Sequence, residues 1–190
     1  MQRKKSGKKS GLLTVLLVAV LTLIAGIVII SVYGDRLFKP ARVKPSTAPV
    51  HSRTVNLYFS DDEGLHLKAE KRGIKKGPLE TEAAEAAEAL LEGPKNGGLA
   101  RAIPEGTRLL GVRVKDSTAI LNFSSEIVKN HPGGTSGEMQ TIYSIIDTLT
   151  LNFPEIKAVQ ILVEGKKVET LAGHIDTSLP LGPDRLIIKD

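Results

Sequence analysis

The chain has 190 residues, of which 41% are hydrophobic and 25% are charged, and its formal net charge is +5. It contains no cysteine, which excludes a disulfide framework, a thiolate zinc site, a cysteine nucleophile and a lipid-modified cysteine anchor. Aromatic residues make up only 4% of the chain. Because nucleic-acid binding normally needs a basic face with aromatic residues between the charges, that function is not expected.

The positive charge is concentrated towards the N-terminus. Residues 1–10 carry five basic residues and no acid, and residues 33–54 carry five basic residues against one acid, Asp35. From Val55 to Asp190 there are 16 basic and 20 acidic residues, a balance of −4. The larger C-terminal part of the chain is therefore mildly acidic.

Residues 12–32 form an uncharged run of 21 residues. At about 1.5 Å per residue in a helix, this run is about 30 Å long, which matches a membrane's hydrocarbon core. A cleaved signal peptide is the alternative, but its apolar core is normally about 7–15 residues and ends at an A-x-A-like site. The pattern favours an uncleaved transmembrane signal anchor, with the basic tail 1–11 in the cytoplasm and the rest outside.

The remaining chain divides into a linker and one domain. Residues 33–53 contain three prolines and little apolar periodicity, which predicts an extended linker. Residues 54–190 have the length of a single domain. We expect this domain to fold by itself.

Six strands are predicted in this domain from alternating apolar residues. They pair in sequence as three hairpins, with turns predicted at "SDDEG", at residues 115–117 and at residues 164–166. The strands contain Val55, Leu57 and Phe59; Leu65, Leu67 and Ala69; Leu110, Val112 and Val114; Ala119, Leu121 and Phe123; Val159, Ile161 and Val163; and the sequence "KVETL" at 167–171.

Two amphipathic helices are predicted between the hairpins. The first, "TEAAEAAEALLEGP" at 81–94, has Thr81 as a plausible N-cap and ends at Gly93-Pro94. The second begins with the T-x-x-E spacing of a capping box at Thr135 and Glu138 and ends at Phe153-Pro154. Their apolar faces contain Ala83, Ala86, Ala87, Leu90 and Leu91 in the first helix, and Met139, Ile142, Tyr143, Ile146 and Leu149 in the second.

The resulting order is ββαββαββ, after one transmembrane helix. Hairpins with two inserted helices predict an α+β fold, in which both helices pack on one face of a largely antiparallel sheet.

From about residue 55 to residue 181 the chain resembles the GerMN domain family. The resemblance is carried by several motifs in the same order. They are "LYFSDDEG", "ALLEGP", "IPEGTRLLGVRV", "AILNFSSE", "GGTSGE", "TLTLNFPEIKAVQILVEGKKVETLAGHID" and "PL".

The resemblance implies a non-enzymatic module outside the cytoplasmic membrane. The family is named from spore formation and germination proteins, but members also occur in bacteria that make no spores. They are usually held at the membrane by an anchor or a lipoprotein signal, and the fold is similar to that of ring-building modules of secretion systems. This chain has room for one copy of the domain. The resemblance also implies that the "GHID" sequence is structural.

His174 and Asp176 are the strongest candidates for chemistry. On a strand, residues i and i+2 share one face, which suits two metal ligands. A catalytic zinc site needs a third protein ligand, and His51, His66 and His131 have no sequence-local partner. In the structural alternative, Gly173 allows a bend, His174 bonds a neighbouring carbonyl and Asp176 caps a turn. We predict the structural role, with no catalytic, cofactor-binding or metal-binding residues.

The other candidates match known sites poorly. Asp61-Asp62-Glu63 lacks the spaced acids of a calcium loop. "GGTSGE", at 133–138, lacks the lysine of a nucleotide-binding loop. Ser124 and Ser125 lack a G-x-S-x-G elbow, and Asn122 begins a glycosylation triplet within a predicted strand.

The sequence therefore predicts a single-pass protein of the bacterial cytoplasmic membrane, with its domain outside and acting by protein–protein assembly. The expected contacts are the membrane, through residues 12–32, an envelope protein, and a second copy of the chain; no nucleic acid and no cofactor is expected. Two alternatives remain: binding of peptidoglycan or another cell-wall component, and a metal-dependent hydrolase using His174 and Asp176.

Overall fold

The structure is a computed structural model and describes residues 18, 20–24 and 52–189. Residues 18 and 20–24 are helical and exposed. Within the described part of the chain, no helix has both the length and the apolarity to span a bilayer. The predicted tail 1–11, most of the predicted membrane segment 12–32, and the linker up to residue 51 lie outside the described residues, so the anchor stays a prediction.

Residues 49–190 form one compact unit, and the domain within it is a mixed α+β fold. Its strands are β1 (Ser52–Asp61), β2 (Leu67–Lys75), β3 (Leu99–Ala100), β4 (Leu109–Lys115), β5 (Thr118–Phe123), β6 (Ala158–Val163) and β7 (Lys166–Lys167). Its helices are α1 (Leu79–Leu91), α2 (Glu126–Lys129) and α3 (Thr135–Asn152), followed by a 3-10 turn at Arg185–Ile187.

The strands form two sheets rather than the single sheet predicted. One has the order β2-β1-β3 and the other has the order β4-β5-β6-β7. Neighbouring strands pair antiparallel except β5 and β6, which are parallel. Helix α1 packs on β1, β2 and β4, and α3 packs on β1, β6 and α1. The helices therefore join the two sheets.

The order ββαββαββ is not what the structure has. Strand β3 and helix α2 are additional short elements, and the last predicted strand, "KVETL", is reduced to β7. Strand β4 also contains a β-bulge between Leu109 and Gly111. Because of this bulge, Leu109 packs against the core, while Leu110, predicted to face inward, is 46% exposed.

The core lies where the helices meet the inner faces of both sheets. It contains most of the predicted apolar positions, because their alternation or helical spacing places them on one face of each element. The prediction is wrong for the second strand, where Leu65 lies before β2 and is 58% exposed, and Ala69 lies on the outward face. The largest fully buried side chains are Phe59, Phe123, Phe153, Leu57, Leu67, Leu121, Ile127, Ile142, Ile145, Ile146, Leu149 and Ile156.

Strand β3 pairs with β1 only at Ser60 and Asp61, and polar side chains of α3 cover the preceding part of the same edge. Thr148 Oγ1 accepts the N–H of Tyr58 at 3.1 Å, and Ser144 Oγ donates to the carbonyl of Tyr58 at 2.6 Å. One turn further on, the Asn152 amide bonds both backbone groups of Asn56. These three α3 residues are spaced by four and lie on one side of the helix. They satisfy the backbone groups of Asn56 and Tyr58 and explain why no strand pairs with that part of the edge.

Neither predicted helix cap forms. Helix α1 begins at Leu79 after Pro78, and no side chain caps it, so Thr81 is not the N-cap. Glu82, inside the helix, accepts the N–H of Gly77, which precedes the helix, at 3.0 Å, and it pairs with Arg53 at 2.8 Å. The predicted stop at Gly93 is confirmed, with a left-handed φ of 87° just after the helix end.

Candidate functional site

The "GHID" sequence belongs to a loop that wraps around a buried carboxylate. Residues 171–175 form bends rather than a strand. Gly173 has φ +94°, a conformation that side-chain-bearing residues rarely adopt. The predicted bend at Gly173 is therefore confirmed, while the strand geometry that would place His174 and Asp176 on one face is absent.

Glu138, in the first turn of α3, is the carboxylate at the centre of this loop. Its side chain is completely buried. Oε1 accepts the N–H groups of Leu171 at 2.8 Å and Ala172 at 2.7 Å. Oε2 accepts those of His174 at 2.7 Å and Ile175 at 3.3 Å. Such a concavity of backbone N–H groups normally holds an anion, and here the anion is the protein's own side chain.

The predicted capping box is therefore wrong. Helix α3 does begin at Thr135, but Gly134 is its N-cap and no side chain caps it. Glu138 turns away from the helix start because the irregular backbone of residues 171–175 presents N–H groups that need a buried acceptor.

The hydrogen bonds to Glu138 keep its carboxyl group ionised. Burial raises the pKa of Glu138, but the backbone N–H groups of Ala172, His174 and Leu171 and the His174 ring together lower that pKa below its usual value. A carboxylate held in this way is a poor general base, because its oxygens are already occupied by donors.

His174 contributes to this arrangement through its ring. Its Nδ1 lies 3.2 Å from Glu138 Oε2, and its side chain is 40% exposed. The predicted bond to a carbonyl is thus replaced by a bond to a carboxylate. A carboxylate that orients a histidine is also found behind metal ligands, but the described residues contain no group of three or more metal-ligating side chains.

His131 lies in the same region and has a defined network. Gly133 N–H donates to His131 Nδ1 at 3.0 Å, and His131 Nε2 is 3.2 Å from the Thr141 hydroxyl. Since Nδ1 accepts, the network assigns the proton to Nε2. Burial lowers the pKa of His131, the Glu138 carboxylate opposes that effect, and His174 adds to it. Both ring nitrogens of His131 are used for structure.

Asp176 is separate from this cluster. Its Oδ1 accepts the N–H of Ser178 at 2.8 Å, which is the turn-capping bond predicted for it. The hydrogen bonds from Ser178 lower the pKa of Asp176. The structure therefore brings His174 to Glu138 and His131, and Asp176 serves its own turn.

The remaining candidates also have local structural partners. Asp61 Oδ1 accepts the N–H groups of Leu65 and His66, and so closes the first hairpin. Ser124 Oγ accepts the N–H of Arg108, and Asn122 Oδ1 accepts that of Gly165. His51 lies outside the described residues.

A second carboxylate was missed by sequence reasoning. Glu70 in β2 is buried, pairs with Arg72, and accepts the N–H groups of Lys95 and Asn96. Burial raises the pKa of Glu70, while Arg72 and these N–H groups lower it to a net value below the usual one. The acid and base two residues apart on a strand were a usable signal, because they share one face.

An open groove lies beside the first hairpin. Its volume is about 630 Å³, and its lining is evenly polar and apolar. The polar part includes Asn56, Tyr58, Asp62, Lys68, Asn96 and Lys189, and the apolar part includes Ala69, Leu99 and Ile188.

Comparison with known proteins identifies the family of this domain. A family model described as sporulation and spore germination, the Germane family, matches residues 56–169. The chain belongs to the Germane, or GerMN-domain, family. The match covers more than half of the chain and ends before the "GHID" loop, whereas the resemblance seen in the sequence was drawn to residue 181.

Solved structures agree with this assignment. A candidate lipoprotein from Clostridium perfringens is 33% identical, with a TM-score of 0.51 over 70% of this chain and 89% of that one. The first GerMN domain of the sporulation protein GerM from Bacillus subtilis is 23% identical, with a TM-score of 0.52 over 70% of this chain and 98% of that one. The tandem GerMN domains of the same protein are 22% identical, with a TM-score of 0.55 over 70% of this chain.

This chain spans 46% of that tandem structure, as expected for one copy of a repeated domain. The two GerM comparisons concern the fold alone. No curated protein matches the chain.

The structure predicts how the "GHID" loop responds to mutation. His174→Ala should lower stability by about 1 kcal/mol, because one hydrogen bond to Glu138 is lost. Asp176→Ala should lower it less, because its turn is exposed. For the wild type and for each variant, the thermal scan with zinc should superimpose on the scan of the same protein with a chelator. A zinc-dependent rise in the melting temperature of the wild type that both variants lack would instead identify a metal site.

Proposed function

We propose that this protein is a membrane-anchored, extracytoplasmic protein–protein interaction module of the bacterial cell envelope, related to sporulation. The carrying observation is membership of the Germane family over residues 56–169. The candidate lipoprotein among its relatives supports a position at the membrane, and the uncharged run 12–32 supplies an anchor.

The geometry around His174 favours a binding module over an enzyme. Both oxygens of Glu138, the carboxylate that orients His174, already accept backbone N–H groups. Both ring nitrogens of His131 also have hydrogen-bond partners. The groups that a hydrolase would use thus hold the loop in place. The proposed contacts are an envelope protein and a second copy of the chain.

Cell fractionation and surface proteolysis test this proposal. The full chain should stay in the membrane fraction after an alkaline wash, and its mass should include residues 1–32. Protease added outside intact spheroplasts should remove the domain. Because the chain has no cysteine, single cysteines introduced at exposed positions permit site-specific crosslinking to neighbouring proteins. A mature N-terminus near Asp35, or a domain protected from external protease, would contradict the anchor and its orientation.

Cell-wall binding is the second candidate function, and the groove beside the first hairpin favours it. Asparagine and aspartate side chains beside a tyrosine are suited to sugar hydroxyls, and the groove volume of about 630 Å³ accommodates a small saccharide. Co-sedimentation of the free domain with purified cell-wall sacculi distinguishes the two. Sedimentation with sacculi, without position-specific crosslinks to proteins, would favour the second candidate.

A further inference from the structure

Among residues 52–189, the outward face of the β1–β2 ladder is exposed at the end where β1 begins. Residues directly opposite in a ladder share a face, and the register pairs Ser52 with Lys75, Thr54 with Gly73, and Asn56 with Lys71. The alternate residues of β1 point to the core. These positions form what we call the lysine face: Ser52, Thr54, Asn56, Lys71, Gly73 and Lys75. Lys76 follows directly after the end of β2 and borders this face.

The lysine face carries positive charge, and none of its own residues is acidic. The one acid of β2, Glu70, points to the opposite face and is buried. Lys75 Nζ lies 3.8 Å from Glu85, but its side chain is 70% exposed, so this ion pair is weak. Among residues 52–189, neither Lys71 nor Lys76 has an ion-pair partner within 4.0 Å, and both are exposed. The Gly77 N–H lowers the pKa of the Glu82 carboxyl group, and the charge of Lys76 is near enough to help lower it.

The shape of the lysine face suits a flat partner. Ser52, Thr54 and Gly73 are exposed and have short or no side chains. The lysines are therefore the longest groups on this part of the ladder. Lysine can bury its aliphatic stem and extend its charge towards an interface, so several lysines can contact one planar anionic surface together.

The position of the lysine face in the chain points to which surface that is. Ser52 begins β1, and it follows the linker and the apolar run 12–32. A tether of residues 33–51 reaches at most about 70 Å even when fully extended. The linker itself carries four basic residues, Arg36, Lys39, Arg42 and Lys44.

We propose that the lysine face docks the domain onto the anionic phospholipid headgroups of the membrane that holds residues 12–32. This inference rests on the proposed function, because the anchor supplies the membrane. The contact is electrostatic: lysine ammonium groups bind lipid phosphates, and Lys75 exchanges its weak pairing with Glu85 of α1 for a lipid phosphate. Tethering raises the effective concentration of the membrane, so a weak intrinsic contact is sufficient.

Each lysine near an anionic bilayer is expected to raise the partition coefficient about fivefold. Three lysines together therefore change partitioning on the order of 100-fold, and salt should weaken the contact because it screens the charges. A docked domain would present its opposite surface to envelope partners in one orientation.

Vesicle co-sedimentation of residues 52–190 tests the inference without the anchor, since the described core lies wholly within 52–189. The domain should sediment with vesicles containing phosphatidylglycerol and not with pure phosphatidylcholine, and binding should fall between about 0.05 M and about 0.5 M salt. The triple variant Lys71→Gln, Lys75→Gln and Lys76→Gln should lose roughly 100-fold in partitioning. The matched variant Lys115→Gln, Lys129→Gln and Lys166→Gln changes the net charge equally at exposed positions elsewhere, and should stay within about threefold of the wild type.

The inference is overturned by an absence of binding to anionic vesicles, or by an equal loss in both triple variants, which would indicate a net-charge effect. Binding to soluble polyphosphate without binding to vesicles would point to a wall polyanion and would also overturn it. Far-UV circular dichroism of each variant verifies that folding is intact.

A second measurement uses the full chain. A fluorophore on Thr54→Cys should report a less polar environment in anionic vesicles than in neutral ones, and a fluorophore on Lys129→Cys should not. Failure of the full chain to insert, with lysine-dependent binding of the free domain retained, would reject the anchor but not the lysine face. Insertion with no difference between the two lipids would reject the lysine face alone.

Discussion

Glu138→Gln should lower the stability of the domain by about 3–5 kcal/mol, because it breaks a buried, fully hydrogen-bonded carboxylate site. For a domain of this size, the melting temperature should fall by roughly 10–20 °C. Each Glu138 oxygen accepts two backbone N–H groups. An amide in the same place directs its own NH₂ group at one of these pairs, so at least two donors lose their acceptor.

Glu155→Gln provides the control, because it makes the same chemical change at an exposed position just after α3. Chemical denaturation of both variants and the wild type measures the difference. If Glu138→Gln unfolded at the same denaturant concentration as Glu155→Gln, the Glu138 carboxylate would not hold the loop at residues 171–175.

The Glu138 site also predicts behaviour in acid. The folded-state pKa of Glu138 lies below its usual value. This carboxylate therefore contributes stability above the ordinary glutamate pKa, and that contribution disappears as the pH falls through the folded-state pKa. The stability of Glu138→Gln should accordingly depend less on pH in acid than that of the wild type.

Asp147→Asn should stabilise the domain above neutral pH, whereas Glu138→Gln should destabilise it. Asp147 is completely buried in α3, accepts the N–H of Asp184 at 3.1 Å, and has no partner for Oδ2 among the described residues. Burial raises the pKa of Asp147, and the nearby Asp184 carboxylate raises it further. The Asp184 N–H and Arg185 lower it, and the net pKa is about 7.

The sign follows from proton binding. Between the unfolded pKa of 3.8 and the folded pKa of about 7, the folded state holds a proton that the unfolded state has lost. The Asp147 contribution is therefore fully present below about pH 4 and is lost as the pH rises through about 7. The difference corresponds to up to about 4 kcal/mol at about 1.4 kcal/mol per pH unit. Asparagine stays neutral, so the variant does not lose this contribution.

Thermal unfolding at about pH 5 and about pH 8.5 measures the effect. Relative to the wild type, Asp147→Asn should gain about 3 kcal/mol between the lower and the higher pH, because about two pH units separate the lower pH from the folded pKa. The control Asp62→Asn, at an exposed turn position, should show the same pH dependence as the wild type. Parallel profiles for Asp147→Asn and the wild type would mean that Asp147 is already ionised at about pH 5 in the folded protein.

The sequence alone determined the elements that bury apolar residues periodically. The alternation of Val55, Leu57 and Phe59 predicted β1, and Ile142, Ile146 and Leu149 predicted α3; all six are buried as expected. These patterns suffice because the period of the backbone decides which side chains share a face. The ordered motifs likewise sufficed for the family, which the model match over residues 56–169 confirmed.

Only the tertiary structure decided what the polar residues do. The sequence pattern puts Glu70 and Glu82 outside the apolar faces of their elements and Glu138 in a capping box. All three are nevertheless buried. Each accepts backbone N–H groups from an irregular segment elsewhere: residues 95–96 for Glu70, Gly77 for Glu82, and residues 171–175 for Glu138.

The physical reason is that buried N–H groups outside helices and ladders must find an acceptor. Which carboxylate lies within reach depends on how the elements pack, and not on local spacing. The same applies to Thr148, whose hydroxyl serves the edge of β1 ninety positions away. Periodicity thus set the apolar core, and long-range pairing of backbone donors set the roles of Glu138 and His174.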